Sequence, residues 1–521
     1  MEKVLVLDYG SQFTQLIARR IREQNVYCEI LPANAKLKEI MAHAPKALIL
    51  SGGPHSVFDK GAPQSDKKIV TLGIPVLGIC YGMQWMAHAL GGKVEPGKNR
   101  EYGLMGIKVL EKNSEIFRGF LSEDANTWMS HGDEVKKLPA GFRETARSKD
   151  GSVAAMEDPV RKLYALQYHP EVTHTQNGRQ YFENFLRIAG VKAEWNLGDF
   201  AKEKMREIAA QVGPKAHAIC ALSGGVDSSV AATMVDRAIP GRLECLYIDS
   251  GLQREGESEA VMQSFERTGL SVTMVDARKR FLSALKGLRD PEKKRKAIGK
   301  TFIGVFALEA KKLEKKLGKK EKVNWLVQGT LYPDVIESMP PPGRGGFSHT
   351  IKSHHNVGGL PKKMHLKLIE PLRELFKDEV RSLGKTLGVP DQILKRHPFP
   401  GPGLAIRCLG EVSENRLKVL RAADRIYIET LKSRGLYDKI WQAGVVLLPI
   451  STVGVMGDGR TYENPVAIRA VTSDDGMTAN WYPFAPDVLG EISSRIINEV
   501  KGVNRVVYDI STKPPATIEW E

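Results

Sequence analysis

The sequence predicts an α/β protein: two α/β domains with mainly parallel sheets, followed by a small α+β domain at the carboxyl end. A length of 521 residues fits three domains, since one domain usually holds roughly 150 residues. Twice in succession, short Val/Ile/Leu runs alternate with helical stretches, which is typical of parallel sheets with helical crossovers. We therefore place the domains at residues 1–193, 194–396 and 397–521.

Short apolar runs predict the strands of the two α/β domains. In the first domain these runs are Lys3–Leu7, Ala47–Leu50, Val76–Ile79 and Leu163–Tyr168. In the second domain they are His217–Leu222, Leu243–Asp249, Ser271–Val275 and Asn324–Gln328. A linker near residues 191–200 separates the two domains, and an amphipathic helix follows it.

The third domain mixes strands and helices without regular alternation. The proline- and glycine-rich run His397–Gly403 marks the boundary before it. Gly444–Ile450 and Val503–Ile510 predict strands. Between these strands, an amphipathic helix has four apolar residues on one face: Ile492, Ile496, Ile497 and Val500.

Composition narrows the class of protein. A hydrophobic content of 42% and a charged content of 26% are ordinary for a globular protein. No apolar run approaches the roughly 20 residues that span a bilayer, so we expect no membrane association. Five scattered cysteines, without CxxC pairs, indicate neither a disulfide framework nor a structural zinc site. We expect a cytoplasmic, reduced protein.

Positive charge is concentrated in one segment. The chain has a net charge of +15, and residues 278–322 hold 17 Lys and Arg against 5 Asp and Glu, a difference of +12. Asp290–Lys296 is interpreted as a short charged turn that could grip phosphate or form a lid. Lys311–Lys322 has two readings, a solvated helical face or a mobile loop.

A cysteine stands between two glycines directly after a predicted strand. In the motif Gly78–Gly82, the glycines allow a sharp strand-to-helix turn that exposes the thiol of Cys80. The following helix points its amino terminus at the sulfur, which favours the thiolate and offers the Tyr81 N–H to an oxyanion. The turn Ser51–Pro54 follows another strand, and its Gly53 N–H could be a second donor. For a lone cysteine, the alternative is a buried small apolar residue.

The partners of this thiol come from a downstream strand end. His169 and Glu171 are two residues apart, so an extended backbone puts both side chains on one side. His169 would act as general base and acid, and Glu171 would fix its tautomer. Together these motifs resemble the class I glutamine amidotransferase family. The resemblance implies that Cys80 attacks the glutamine amide, that ammonia is released, and that Gln84 belongs to the glutamine pocket.

A glycine turn joins a strand to a helix in the second domain. Consecutive backbone N–H groups and serine hydroxyls form an anion-binding nest at the helix amino terminus. The residues are Ser223, Gly224, Gly225, Val226, Asp227, Ser228 and Ser229. A tight turn without function is the alternative for such a loop. The full string resembles the ATP pyrophosphatase family, which implies ATP cleavage between the α and β phosphates, with Asp227 helping to hold Mg²⁺.

Four further motifs resemble glutamine-hydrolysing GMP synthetases over essentially the whole chain. They are Gln328–Asp334, Lys352–Leu360, His397–Gly403 and Lys513–Glu521. The resemblance implies that XMP is converted to GMP: ATP adenylates the C2 oxygen of XMP, and ammonia then displaces AMP. It also implies XMP contacts at Arg295, Gln442, Lys513, Ile518 and Glu519. The small third domain would complete the XMP pocket and pair two subunits into a homodimer.

A second class of function stays open. Enzymes with pyrophosphatase-type loops also adenylate tRNA bases, and the chain is basic. An RNA-modifying thiolase is therefore the competing hypothesis. Against it, no catalytic cysteine pair follows the loop, and a glutamine-hydrolysing domain would have no purpose there. We therefore expect XMP, ATP and glutamine as partners, and no nucleic acid.

Overall fold

The computed structural model describes residues 2–317, 322–337, 366–456, 459–473 and 478–521, apart from Lys112, Leu121 and Glu123. Within this part of the chain the contacts separate into two compact units. The first unit holds residues 2–196, and the second holds 197–336 together with 366–521. The boundary at residue 196 falls within the predicted linker. No described helix is long and apolar enough to cross a membrane.

The first unit is built on a mixed sheet. Its strands are β1 (Lys3–Asp8), β2 (Tyr27–Pro32), β3 (Ala47–Leu50), β4 (Val76–Ile79), β5 (Lys93–Val109), β6 (Asp124–Lys137), β7 (Arg143–Ser148), β8 (Val153–Asp158) and β9 (Leu163–Leu166). They lie in the order β2-β1-β3-β4-β9-β8-β7-β5-β6. The helices of this unit are α1 (Thr14–Arg22), α2 (Leu37–Ala42), α3 (Tyr81–Ala89) and α4 (Gly178–Ala189).

The two halves of this sheet differ in strand direction. From β2 to β9 the neighbours run parallel. From β9 to β6 they run antiparallel. Every residue of β3 and β4 is buried, as expected for parallel strands covered on both faces, whereas the front of β6 alternates between buried and exposed residues. The sequence predicted β1, β3, β4 and β9, but it missed the parallel edge strand β2 and the antiparallel strands β5, β6, β7 and β8.

The second unit contains a five-stranded parallel sheet. Its strands are β10 (His217–Leu222), β11 (Leu243–Asp249), β12 (Val272–Asp276), β13 (Val323–Val327) and β14 (Lys367–Ile369), in the order β12-β11-β10-β13-β14. The predicted strands match these bounds to within one residue. Because the order reverses direction between β10 and β13, a crevice is expected at the carboxyl ends of those two strands.

A second sheet in this unit is largely antiparallel. It consists of β15 (Gln442–Leu447), β16 (Thr452–Met456), β17 (Gly459–Thr472), β18 (Asn480–Trp481) and β19 (Val503–Tyr508). β17 lies at its centre and pairs with the other four, in parallel only with β19. The predicted strand at Gly444–Ile450 therefore starts two residues earlier and ends at Leu447.

Helices surround both sheets of the second unit. They are α5 (Leu197–Val212), α6 (Val226–Ala238), α7 (Glu257–Glu266), α8 (Arg278–Leu285), α9 (Pro291–Leu317), α10 (Tyr332–Glu337), α11 (Lys377–Thr386), α12 (Asp391–Leu394), α13 (Glu414–Ser433) and α14 (Pro486–Glu499). Ile492 and Ile496 of α14 are fully buried, while Val500 lies just beyond its end. One core joins residues from both sides of residue 396, including Ile219, Leu246, Leu420 and Ile492.

The prediction of a charged turn at Asp290–Lys296 is wrong. Pro291 starts α9, a helix of 27 residues, and proline suits the first helical position because the N–H it lacks would have no intrahelical partner. Lys294 is completely buried. Farther along α9, Lys311 and Lys312 are exposed, as a solvated helical face requires, and residues 318–321 lie outside the described part.

Candidate functional site

Cys80 lies at the turn between β4 and α3. Its φ of +50° falls in the left-handed region, which non-glycine residues seldom adopt and which is found at strained nucleophile turns. The two glycines of the motif are sterically required. A Cβ on Gly82 would collide with the carbonyl oxygen of Leu50, and a Cβ on Gly78 would lie 2.8 Å from that of Gly82. This packing fixes the sharp turn that presents the sulfur.

His169 and Glu171 adjoin this thiol. Nδ1 of His169 lies 2.7 Å from Oε1 of Glu171, and both side chains are buried. The Cys80 sulfur is near enough to the imidazole to help raise its pKa. Gly52 closes the arrangement, since a Cβ there would lie 2.9 Å from Cε1 of His169 and 3.6 Å from Cβ of Cys80. The structure thus brings the three predicted catalytic residues together in the order thiol, imidazole, carboxylate.

Electrostatics favours a charged imidazole in this arrangement. Burial by itself lowers the pKa of His169, but the Glu171 carboxylate and the Cys80 sulfur outweigh burial and raise that pKa to about 10. A histidine with this pKa carries its second proton at neutral pH. The ring can therefore hold a negatively charged sulfur on one side while it donates to Glu171 on the other.

The two predicted oxyanion donors are also neighbours. Tyr81 opens α3, so its backbone N–H has no acceptor within the helix. Gly53 packs closely against this position: a Cβ on it would lie 3.4 Å from Cγ of Tyr81 and 2.7 Å from the Tyr9 carbonyl oxygen. A side chain at Gly53 is therefore excluded, and its backbone lies next to Tyr9 and Tyr81.

Strand β6 supports the thiol site through three backbone carbonyls. The carbonyl of Trp128 accepts the His169 N–H at 2.9 Å, and that of Ser130 lies 3.6 Å from the Cys80 sulfur. The carbonyl of Asp133 accepts from Nε2 of Gln84 at 2.9 Å. Gln84 is buried. Sequence reasoning missed β6, because residues 125–131 neither form an apolar run nor alternate regularly between apolar and polar.

The glycine loop of the second unit lies at the carboxyl end of β10. Gly225 caps α6, and Gly224 has a φ of +73°, which suits glycine. The Ser223 hydroxyl lies 3.2 Å from that of Ser228 and accepts the Gly225 N–H at 3.2 Å. The Ser229 hydroxyl turns back and donates to the Gly225 carbonyl at 2.7 Å. The loop therefore sits where the strand order reverses, with hydroxyls and amides clustered at a helix amino terminus.

Asp227 occupies the first turn of α6. Its Oδ1 is buried and has no hydrogen-bond partner among the described residues, while its Oδ2 lies 3.7 Å from Nζ of Lys377. Gly329 packs against it, since a Cβ there would lie 3.0 Å from the Asp227 carbonyl carbon. The motif Gln328–Asp334, which follows β13, thus lies beside the glycine loop. No cluster of three or more His, Cys, Asp or Glu with metal-binding geometry occurs in the described ranges.

Three of the five predicted XMP residues line one small cavity: Gln442, Ile518 and Glu519. Arg407 also lines it and holds the Glu519 carboxylate with two hydrogen bonds, of 3.0 and 2.7 Å. Burial alone would raise the pKa of Glu519, but Arg407 outweighs burial and lowers it. Nε2 of Gln442 donates to the same carboxylate. Glu519 is therefore ionised and bound within the protein.

The other two predicted XMP residues make different contacts. Arg295 donates to the backbone carbonyl of Glu521 at 2.5 Å. Lys513 pairs with Ala479 through backbone hydrogen bonds of 2.8 and 3.0 Å. The motif Lys352–Leu360 lies outside the described residues.

Sequence reasoning missed two arginines at this cavity. Arg407 is buried, as is Arg469, which donates to the carbonyls of Ser511, Thr517 and Ile518 at 2.8, 3.2 and 3.4 Å. Each arginine interrupts an apolar run, at 404–409 and 466–471. Since an arginine is buried only when paired, such an interruption was a signal that the sequence offered.

Comparison with known proteins connects both sites to one family. Residues 5–189 match the family model of class-I glutamine amidotransferases, and residues 429–520 match that of the GMP synthase C-terminal domain. Among curated relatives, a glutamine-hydrolysing GMP synthase of Pelodictyon phaeoclathratiforme is 55% identical, over 100% of both chains. Those of Nitrobacter hamburgensis and Carboxydothermus hydrogenoformans are 54% identical over 100% of this chain and 96% and 99% of theirs.

The first unit therefore contains a class-I glutamine amidotransferase domain, which defines the class of enzyme. The chain belongs to the glutamine-hydrolysing GMP synthase family, and it is a ligase with amidotransferase activity. The family and the α/β fold class predicted from sequence are confirmed.

Proposed function

We propose that this protein makes GMP from XMP, with ATP as the activating substrate and glutamine as the nitrogen donor. One observation carries the proposal. The same chain has a thiol–imidazole–carboxylate arrangement in its first unit and a glycine nest at a strand switch point in its second. The first arrangement suits ammonia release from an amide, and the second suits binding of a triphosphate.

In the glutaminase reaction, Cys80 attacks the side-chain amide carbon of glutamine. The N–H groups of Gly53 and Tyr81 would hold the oxyanion that forms on the former carbonyl oxygen. His169 delivers its proton to the departing nitrogen, ammonia leaves, and a glutamyl thioester remains on the sulfur. His169 then takes a proton from water, whose oxygen attacks the thioester and releases glutamate. Glu171 holds the imidazole through Nδ1 throughout.

In the synthetase reaction, the glycine nest orients the phosphates of ATP. Backbone N–H groups of the loop and the hydroxyls of Ser223 and Ser228 would bind the β and γ phosphates at the amino terminus of α6. The C2 oxygen of XMP attacks the α phosphorus, and pyrophosphate leaves. Ammonia then attacks C2, the bond from C2 to the bridging oxygen breaks, and AMP departs with that oxygen to leave GMP.

Magnesium fits the residues that surround the glycine nest. The buried, unpartnered Oδ1 of Asp227 is an anionic oxygen of the type that Mg²⁺ prefers. Asp227 would therefore hold the ion beside the phosphates. When bound, Mg²⁺ neutralises charge on the phosphate oxygens.

The proposed XMP pocket includes residues of the carboxyl-terminal segment 517–521. Gln442, Ile518 and Glu519 share a cavity of about 10 Å³, which must widen to admit a purine. The Glu519 carboxylate could then accept from purine N–H groups once Gln442 or Arg407 shifts. Arg295 and Lys513 are proposed to supply positive charge to the XMP phosphate. These roles rest on the family resemblance together with the cavity.

A homodimer is part of the proposal. The second sheet of unit two exposes apolar side chains at Val453 (53%), Val455 (75%) and Tyr462 (67%), and Val453 pairs directly with Tyr462 across β16 and β17. Exposed apolar groups on neighbouring strands are typical of surfaces that associate. This patch supports pairing through the third domain.

An assay of the products tests the proposed function. With XMP, ATP, Mg²⁺ and glutamine, we expect GMP, AMP, pyrophosphate and glutamate in equal amounts. Omission of XMP should remove AMP formation. Formation of AMP without XMP, or of ADP in place of AMP, would contradict the proposal. Transfer of AMP to tRNA in place of XMP would instead favour an RNA-modifying enzyme.

A further inference from the structure

A lysine near the start of α9 is completely buried. Lys294 has 0% exposure, whereas charged lysines normally keep their ammonium group in water. Its ammonium donates to the carbonyls of Ala405 and Cys408 at 3.2 and 2.9 Å. The third donor goes to Oε2 of Glu521 at 2.5 Å. All three N–H groups of Lys294 are thus used within the protein, so it is not available to grip a phosphate.

Glu521 is held from both sides. While Oε2 accepts from Lys294, Oε1 accepts the backbone N–H of Gly410 at 3.4 Å. Its backbone carbonyl accepts from Arg295, the residue next to Lys294. Two adjacent residues of α9 therefore hold one residue of the carboxyl-terminal segment.

This contact repeats the arrangement two residues earlier. Glu519 is bound by the buried Arg407, just as Glu521 is bound by the buried Lys294. Trp520, between them, points elsewhere and donates to Asp509 at 2.9 Å. Glu519 and Glu521 therefore each anchor the segment to a buried cation.

Removal of one partner from a buried ion pair leaves an uncompensated charge, so the remaining group moves toward water or recruits another ion. Loss of the Lys294 charge would release Glu521, and with it the neighbouring segment that carries Ile518 and Glu519. Both of these residues line the cavity assigned above to XMP.

We propose that Lys294 is a positioning residue for XMP binding: it fixes Glu521 and thereby holds Ile518 and Glu519 in place at the XMP pocket. This inference rests on the proposed function. Lys294 acts through the segment 517–521 and does not touch the substrate. It also ties the segment to α9, so that Arg295 and Glu519 keep a constant separation.

The test compares three variants with the parent protein in the ammonia-driven reaction. They are Lys294→Met, Glu521→Ala and Glu521→Gln, and Lys300→Met serves as the matched control on the exposed face of the same helix. We expect Lys294→Met and Glu521→Ala to raise the KM for XMP at least about 10-fold, the equivalent of losing one good contact. Glu521→Gln keeps a hydrogen-bond acceptor and should show a smaller rise. The KM for ATP and the glutaminase rate should stay unchanged in all four.

Thermal unfolding separates positioning from folding. If Lys294→Met unfolds below the assay temperature, the two Glu521 variants decide the matter. An unchanged KM for XMP in folded Glu521→Ala would overturn the inference, as would equal rises in the KM values for XMP and ATP. A parent protein that forms no AMP with XMP would refute the proposed function, whatever the variants do.

Discussion

The thiol site and the nucleotide site differ in how far their side chains are buried and paired before a substrate binds. Cys80, His169 and Glu171 are buried, with exposures of 3, 3 and 0%, and they pair with one another. In the glycine nest, by contrast, Ser223 is exposed and Oδ1 of Asp227 lacks a partner among the described residues. At the thiol site the catalytic groups are buried and in contact, although Oε2 of Glu171 also lacks a hydrogen-bond partner among the described residues. The glycine nest differs in that it leaves an exposed hydroxyl and backbone N–H groups for its substrate.

The contrast follows from the ligands. Glutamine brings a neutral amide to the thiol, so the charges needed for catalysis must already be present and balanced within the protein. A triphosphate brings its own charge and is satisfied by backbone N–H groups and a metal ion, which a loop can offer without pairing them internally.

The largest effect is expected for Cys80→Ala. Glutamine-dependent GMP formation should fall by about 10³-fold or more, because the nucleophile is lost. Synthesis from added ammonium salt should continue at the parental rate, since the nucleotide chemistry lies in the second unit. Cys28→Ala, a buried cysteine of β2, is the matched control. Loss of both activities in folded Cys80→Ala would show that the two sites are not independent.

Asp227→Asn should lower both glutamine-dependent and ammonia-dependent synthesis by about 10²-fold or more, because the phosphates lose their metal partner. The glutaminase should keep its basal rate. Asp236→Asn, farther along the same helix, should have little effect. Near-normal release of AMP by Asp227→Asn would contradict the assignment of Asp227 as the metal ligand.

Glu519→Gln should raise the KM for XMP by about 10-fold and leave that for ATP unchanged, since the amide cannot balance the buried Arg407. Glu499→Gln, on the exposed side of α14, is the control. Steady-state kinetics with ammonia measures the effect. An unchanged KM for XMP would show that the segment 517–521 only packs against the protein and does not bind XMP.

The contribution of His169 to the stability of the folded protein should decrease as the pH rises. The pKa of His169 is raised from its ordinary value of 6.5 to about 10, so its stabilising contribution is complete below pH 6.5 and is lost as the pH rises toward 10. In Glu171→Gln the largest raising contribution is gone, and burial should bring the pKa down. NMR titration of the His169 ring in the parent protein and in Glu171→Gln checks both pKa predictions. A parental pKa near 6.5 would contradict the assignment.

The smallest effect is expected for the lysines at the end of α9. Replacement of Lys311, Lys312, Lys315 and Lys316 by Gln should change kcat/KM by less than about twofold, since exposed ion pairs contribute about 0–1 kcal/mol. Retention of tRNA by the parent at physiological salt, and its loss in this variant, would instead assign these lysines to nucleic-acid binding.

Sequence was most informative where one local pattern decides the structure. The runs Ala47–Leu50 and Val76–Ile79 are fully buried strands, because a parallel sheet covered on both faces needs continuous apolar residues. The motif Gly78–Gly82 predicted a turn that the close approach of Leu50 then explains. His169 and Glu171 follow β9 in a turn rather than in the extended backbone that the sequence predicted, and they meet Cys80 because β9 and β4 are neighbours.

Features that depend on distant partners escaped prediction. The hairpin of β5 and β6 is polar and gains stability from pairing with itself, so no apolar run marks it. Lys294 lies in a strongly basic stretch, and only its contact with Glu521, 227 positions away, explains its burial. Arg407 and Arg469 belong to the same group, since their partners lie in the carboxyl-terminal segment.

The central claim is that one site releases the nitrogen of glutamine, while the other transfers the C2 oxygen of XMP to AMP. Mass spectrometry of the products tests it most directly, with XMP that carries oxygen-18 at C2 and glutamine that carries nitrogen-15 in its amide. The account predicts the heavy oxygen in the phosphate of AMP and the heavy nitrogen in GMP. Heavy oxygen in inorganic phosphate or pyrophosphate, or GMP without the heavy nitrogen, would contradict it.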